Sequence, residues 1–291
     1  MSSPPALLIF SHGNSFSAST YGVMLRELQR RGFQVEAIER FGHDPRYPVS
    51  SNWPHLVEQL ADFTAEKCRQ SGQGAYLVGH SLGGFLSLMC AAANPILGGH
   101  RVRGVVLMDS PILGGWKAAA LSVAKRARLV GSISPGAVSR KRKQSWPSLQ
   151  EVQSHFRGKK LFASWDPQVL QDYIEHGTRA VDPVAAPNGP RVLSFDREVE
   201  TAIYNTLPHN LEALLKAQAL QCPAAFIGGR HSLEMRQVGM AMTQSVTQGR
   251  LMMLDGSHLF PMERPQASAA AVEASILNLM SLSPTSRPRG L

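Results

Sequence analysis

The stretch YLVGHSLGGFLSL, from Tyr76 to Leu88, runs one apolar segment into a glycine-flanked serine and then into a second apolar segment. In a chain of 291 residues with 25 glycines, the pattern G-x-S-x-G carries little weight by itself, so its meaning depends on its surroundings. Upstream, AYLVG reads as a strand; downstream, SLGGFLSLMCAAANP reads as a helix that stops before Pro95. Ser81 is therefore expected at a strand-to-helix junction, exposed at the carboxyl edge of a sheet. The small Gly79 and Gly83 let neighbouring backbone approach closely, and the following helix offers its first N–H groups to a negative charge.

The same alternation of strand and helix signals fills most of the chain and predicts a mostly parallel sheet with crossover helices. ALLIF (Ala6 to Phe10) is a fully apolar strand, STYGVMLRELQRRG is spaced as a helix ending at Gly32, and FQVEAIE is the next strand. WPHLVEQLADFTAEKCRQSG carries proline in its first turn, Leu56, Leu60 and Phe63 on one face, and Gly72 after its end. VRGVVLMD closes on Asp109; PAAFIGG, a helix MRQVGMAMTQSV, the strand RLMML and the helix QASAAAVEASILNLM follow much later. Between them, Leu113 to Leu220 shows helical patches and no clear strand. The expected organisation is a discontinuous core of residues 1–112 and 221–291 interrupted by a mainly helical insertion, 113–220. The polar tail SPTSRPRGL is expected to be disordered.

Composition narrows the partners. The formal charge is +9, and fifteen Lys and Arg against nine Asp and Glu place a surplus of six within the insertion, densest in SRKRKQSW. No aromatic-interleaved basic motif, zinc-finger spacing or RNA-binding signature accompanies that charge, so nucleic acid is not an expected partner. The surplus favours either a solvated helix end or attraction of an anionic small molecule. The ten histidines form no H-x-x-x-H pattern or carboxylate-flanked cluster, which argues against a metal site. Cys68, Cys90 and Cys222 are isolated, odd in number and without C-x-x-C spacing, which suits a reducing compartment. The start, MSSPPALLIF, lacks a basic n-region, and no apolar stretch approaches the ~20 residues of a membrane span. A cytoplasmic, soluble protein is expected.

Three features resemble the α/β-hydrolase fold, and within it the esterase-like serine hydrolases that carry a cap inserted after what that family counts as its sixth strand. They are GHSLG at the junction, SHGN (Ser11 to Asn14) directly after the first strand, and DGSHLFPMERP between a late strand and the last helix. The resemblance covers about Ala6 to Pro111 and Cys222 to Met280. It implies acyl transfer through a covalent intermediate, with Ser81 as nucleophile, His258 as general base, the backbone N–H groups of Asn14 and Leu82 as oxyanion hole, and no cofactor. His12 then shapes the oxyanion turn, and His43 and Asp44 either match a family loop near the site or stabilise their own turn.

The orienting acid departs from the family's commonest pattern, because Ser232 stands where I-x-G-x-x-D places it. Two carboxylates remain: Asp109, at the end of a strand, and Glu234, two residues past the usual position. A strand-end aspartate is the more rigidly held, which favours Asp109. The implied substrate is a small acyl compound, an ester or a related thioester, lactone or amide, and an anionic one if the basic surplus serves attraction rather than a solvated helix end. A serine-type carbon–carbon bond hydrolase, or a ligand receptor on the same scaffold without turnover, are the alternatives.

Overall fold

The computed structural model describes residues 4–114 and 139–282. The tail SPTSRPRGL and the first part of the insertion lie outside the described residues. Six parallel strands form the central sheet: β1 (Leu7–Ser11), β2 (Gln34–Ala37), β3 (Ala75–His80), β6 (Gly104–Met108), β10 (Ala224–Gly229) and β11 (Leu251–Leu254), in the order β11-β10-β6-β3-β1-β2. A short antiparallel pair, β4 (Ile96–Leu97) and β5 (His100–Arg101), stands apart from it.

The period of two along each strand divides the core. Leu7, Ile9, Leu77, Val105, Leu107 and Phe226 face one way, onto the helices Pro54–Ser71 and Leu82–Ala93. Leu8, Phe10, Tyr76, Val78, Val106 and Ile227 face the other, onto the helices Gly22–Arg30 and Pro265–Ser281. Strands covered on both faces need apolar residues at every position, which is why ALLIF and GVVLM read as unbroken apolar runs rather than alternating ones.

The strand order reverses between β1 and β3. β1 leads out to the edge strand β2, and the chain then returns to the other side of β1 and builds outward through β6, β10 and β11. Loops leaving the carboxyl ends of adjacent strands diverge at such a reversal and leave a crevice, where α/β sheets characteristically bind ligands. Ser11 ends β1 in register with Gly79 of β3, so the turn His12–Ser15 and Ser81 emerge side by side there.

The insertion is mainly helical among the described residues, with helices Leu149–Arg157, Pro167–Gly177, Arg197–Asn205 and Leu211–Ala217. It also holds a small antiparallel sheet, β7 (Ser145–Trp146), β9 (Arg191–Leu193) and β8 (Thr178–Ala180), where no strand was expected. Strands of two or three residues are too short to show a period of two. The expected helix MRQVGMAMTQSV is likewise two helices, Leu233–Val238 and Ala241–Thr247, parted at Gly239 with φ of +84°. No helix among the described residues is long and apolar enough to cross a membrane.

The close approaches at the junction demand glycine. A Cβ on Gly79 would lie 2.1 Å from the Gly83 backbone, and one on Gly83 would lie 2.0 Å from the Ser11 carbonyl oxygen. Both obstacles are main chain within packed elements and cannot swing aside. Gly83→Ala should therefore destabilise the fold by about 3 kcal/mol, the upper end of ordinary overpacking. Denaturant unfolding measures this, and a midpoint equal to that of the unaltered protein would contradict the packing argument.

Candidate active site

Ser81 follows β3 with φ of +53° and ψ of −115°. Such a conformation costs a non-glycine residue about 1–3 kcal/mol and persists only where its surroundings hold it. Here its N–H donates to the Met108 carbonyl at 2.9 Å, and its own carbonyl accepts from Ser110 Oγ at 2.8 Å. The turn lifts the hydroxyl clear of the sheet edge, and His258 Nε2 stands 3.0 Å from Ser81 Oγ.

His258 arrives on the loop after β11. That loop is pinned by Glu263, whose two carboxylate oxygens accept from Ser257 N at 2.9 Å and from Ser257 Oγ at 2.6 Å. His258 Nδ1 lies 2.6 Å from Asp109 Oδ2. Since a carboxylate only accepts, Nδ1 carries the proton, and Nε2 is left to accept from Ser81. Asp109 follows β6 with φ of +46°, and its side chain is fully buried. It also accepts from Gly229 N at 2.8 Å and from Ser232 Oγ at 2.5 Å.

Ser232, which stands where the family's commonest pattern has an acid, thus donates to Asp109. Glu234, the rival acid, reaches only 3.8 Å from His258 Nδ1 with 47% of its side chain exposed. Asp109, Glu234 and His258 bring ligand-type atoms within 4.8 Å of one another. An ion there would have to displace the proton shared by Asp109 and His258.

The electrostatics follow from these contacts. Burial pushes the His258 imidazole toward its neutral form, but the Asp109 hydrogen bond and the charges of Glu234 and Asp109 outweigh it and hold the pKa above its ordinary 6.5. His12 behaves differently. Burial drives its pKa down to about 4, against an opposing bond to the Gly13 carbonyl. It stays neutral, with Nδ1 donating to Gly13 O at 2.8 Å and Nε2 accepting from Phe41 N at 3.0 Å, and so shapes the turn. His43 does the same further out, bridging Phe41 O and Asp196 N, while Asp44 pairs with Arg46.

On the other side of the serine, neither the Asn14 nor the Leu82 backbone N–H meets an acceptor among the described residues. Leu82 opens the helix Leu82–Ala93, so its N–H is one of the unpaired donors of a first turn. The Asn14 side chain points away and donates to the Glu200 carbonyl at 3.0 Å.

Two networks carried no signal in the sequence. In the first, His80 Nε2 donates to the His258 carbonyl at 2.8 Å, which leaves Nδ1 to accept from Tyr21 OH at 2.7 Å, and Tyr21 in turn accepts from Gly13 N at 2.9 Å. Burial above all holds His80 neutral, well below an ordinary histidine. The relay joins the loops after β1, β3 and β11, yet His80 occupies a variable position of G-x-S-x-G and nothing marks it out. In the second, the buried Glu200 of the insertion accepts from Ser15 Oγ and from Arg142 Nη1 at 2.8 Å, and Arg142 also bonds Tyr173 OH. Above both lies a cavity of about 850 Å³ lined by Ser81, His258, the Gly13–Phe16 turn and residues of the insertion.

The sequence profile of the alpha/beta hydrolase family matches residues 8–271. A protein of Mycobacterium phage D29, named provisionally as a non-heme haloperoxidase, is 34% identical over 106 residues, 36% of each chain. A Monkeypox virus protein named as a monoglyceride lipase homolog is 25% identical over 138 residues, 46% of this chain and 48% of that one. The matched segment thus spans less than half the length of these two curated relatives. Among solved structures, a peroxisomal alpha-beta-hydrolase of Saccharomyces cerevisiae superposes with a TM-score of 0.68 at 17% identity, covering 99% of this chain and 81% of that one. At that identity the likeness speaks for the fold alone. Because the profile runs from β1 into the last helix and takes in the serine, the buried aspartate and the histidine in that order, the chain belongs to the alpha/beta hydrolase family.

Proposed function

We propose that the protein is a serine hydrolase that cleaves a carboxylic ester or a related acyl bond of a small molecule, with residues 113–220 serving as its cap. The observation that carries this reading is the continuous hydrogen-bonded line from Asp109 Oδ2 to His258 Nδ1 at 2.6 Å and from His258 Nε2 to Ser81 Oγ at 3.0 Å. Ser81 Oγ attacks the carbonyl carbon while its proton passes to His258 Nε2. The carbonyl oxygen, now negative, accepts from the N–H groups of Asn14 and Leu82. The imidazolium returns the proton to the leaving oxygen as the carbon–oxygen bond breaks, which leaves an acyl-serine. Water, deprotonated by the same nitrogen, then releases the acid.

Asp109 holds the His258 tautomer and stabilises the imidazolium. A serine at the usual acid position would suit a ligand receptor without turnover, whereas the 2.6 Å contact of Asp109 with His258 supports turnover. The isolated cysteines keep a cytoplasmic setting within this proposal: Cys68 and Cys90 are buried, and none of the three is bridged.

A fluorophosphonate should add once to the protein and not at all to Ser81→Ala, as read by intact mass; label persisting on the variant would overturn the assignment. Asp109→Asn should lower kcat on the order of 10³- to 10⁴-fold, as loss of the orienting acid does on other folds, while Glu234→Gln should cost far less. Thermal melting separates this from misfolding, and the opposite ranking would transfer the role to Glu234.

The pH dependence has a definite sign. His258 must be neutral to accept the proton, and its pKa lies above the ordinary 6.5, so kcat/KM should fall as pH drops through that raised value. Glu234 helps to raise the pKa, so Glu234→Gln should move the acid limb to lower pH. A limb unmoved by Glu234→Gln would show that this charge does not reach the imidazole.

A further inference from the structure

The cavity carries opposite charge in different places. Beside His258 stands the carboxylate of Glu234. From the insertion, Lys141, Lys143, Lys159 and His155 line the same cavity. The Lys143 ammonium sits 5.9 Å from the centroid of Trp146 and that of Lys159 sits 5.7 Å from Phe156, so ring faces steady these cations without neutralising them. Arg142 is already committed to Glu200 at 2.8 Å. Among the described residues, no carboxylate pairs with Lys141, Lys143 or Lys159.

The crowding shows in the neighbours. His155 is held below its ordinary pKa by burial and by Lys159, Lys143 and Arg142, and Lys159 is held down by burial and by Arg142. Like charges gathered in a concave, partly apolar wall are unfavourable until an anion joins them.

We propose that this basic lobe is a subsite for an anionic oxygen group, a carboxylate or a phosphate, that the substrate carries at a distance from its scissile carbonyl. The inference rests on the hydrolase reading above and narrows its substrate class. The distance follows from the arrangement. Arg142, flanked in the chain by Lys141 and Lys143, reaches Ser15 of the oxyanion turn only through Glu200, each bonded to the next. An anion placed next to the reacting carbonyl would instead meet Glu234. Phe156, Leu161 and Phe162 also line the cavity and suit a methylene chain. Long monoesters of dicarboxylic acids, or acyl compounds ending in a phosphate, have this form.

The test compares 4-nitrophenyl esters of suberic acid, of its phosphonate-ended analogue, of octanoic acid and of succinic acid. The two long anionic esters should exceed the octanoate in kcat/KM, and the succinate, whose charge lies close to the carbonyl, should not. Lys143→Gln/Lys159→Gln should lower kcat/KM about tenfold more for the long anionic esters than for the octanoate, and raised ionic strength should act in the same direction. The anion that loses more identifies the preferred group. Equal losses on charged and neutral esters would reduce the lysines to a solvated rim and overturn the proposal.

A binding arm is independent of turnover. Suberate titrated calorimetrically into Ser81→Ala should bind more tightly than succinate and should lose that advantage with both lysines replaced. Lysine-dependent suberate binding without any ester turnover would sink the hydrolase reading alone, and turnover without lysine-dependent discrimination would sink the subsite alone.

Discussion

A single buried carboxylate organises the carboxyl edge of the sheet. None of the Asp109 side chain is exposed, and a bare ionised group in that position would cost several kcal/mol. Its oxygens are instead met by the Gly229 N–H at 2.8 Å, the Ser232 hydroxyl at 2.5 Å and the His258 ring at 2.6 Å. Those donors come from the end of β10, the loop after it and the loop after β11, so satisfying one carboxylate draws three segments together. Ser232 has a second partner in the Met235 N–H at 3.2 Å, which caps the helix Leu233–Val238. With serine at that position, a short hydroxyl supplies a donor to Asp109 where a carboxylate would have been an acceptor.

The same economy governs the other side of the serine. Ser81 cannot hold a φ of +53° alone, and the Met108 carbonyl, the Ser110 hydroxyl and the bare faces of Gly79 and Gly83 hold it there. His80, buried one residue earlier, ties that turn to the other two loops through Tyr21 and the His258 carbonyl. Its neutrality is structural in origin. A carbonyl on one nitrogen and a phenol on the other can be satisfied by a single tautomer, and burial excludes the charged ring. Side chains on three loops are thereby held in one register without a rigid element spanning them.

Much of this was legible in the sequence because it rests on local rules. Alternating apolar runs and glycine- or proline-marked helix ends gave the six strands and their crossovers, with Pro54 opening one helix and Gly72 closing it with φ of +67°. Ser81 and His258 were visible because each stands at a strand end in a distinctive local run. What stayed hidden depends on contacts distant in the chain. Asp109 and Glu234 could be ranked by rigidity, but which of them meets His258 depends on how three loops converge. Ser232 registered as a missing acid, although its positive role, donating to Asp109, needs the fold. Glu200 and Arg142 lie in a segment without motifs, and their pairing links residues 58 positions apart.

That pairing bears on what the insertion does. Trp146, Phe156, Phe162, Trp165 and Tyr173 belong to the same apolar cluster as Leu8, Phe10 and Val78 of the sheet, while Phe195, Ile203 and Leu211 join the cluster on the opposite face. The described part of the insertion therefore has no core of its own. Its buried ion pair adds little net stability, since desolvating two charges offsets most of their attraction, but it is selective about geometry. Glu200 must face both Arg142 and the Ser15 hydroxyl, and its backbone carbonyl must meet Asn14. The turn that carries Asn14 is consequently shaped by the insertion as much as by β1. A shift of the helix Arg197–Asn205 would carry the proposed oxyanion donor with it, so the segment that lines the cavity beside Ser81 also bears on the geometry of the proposed reaction.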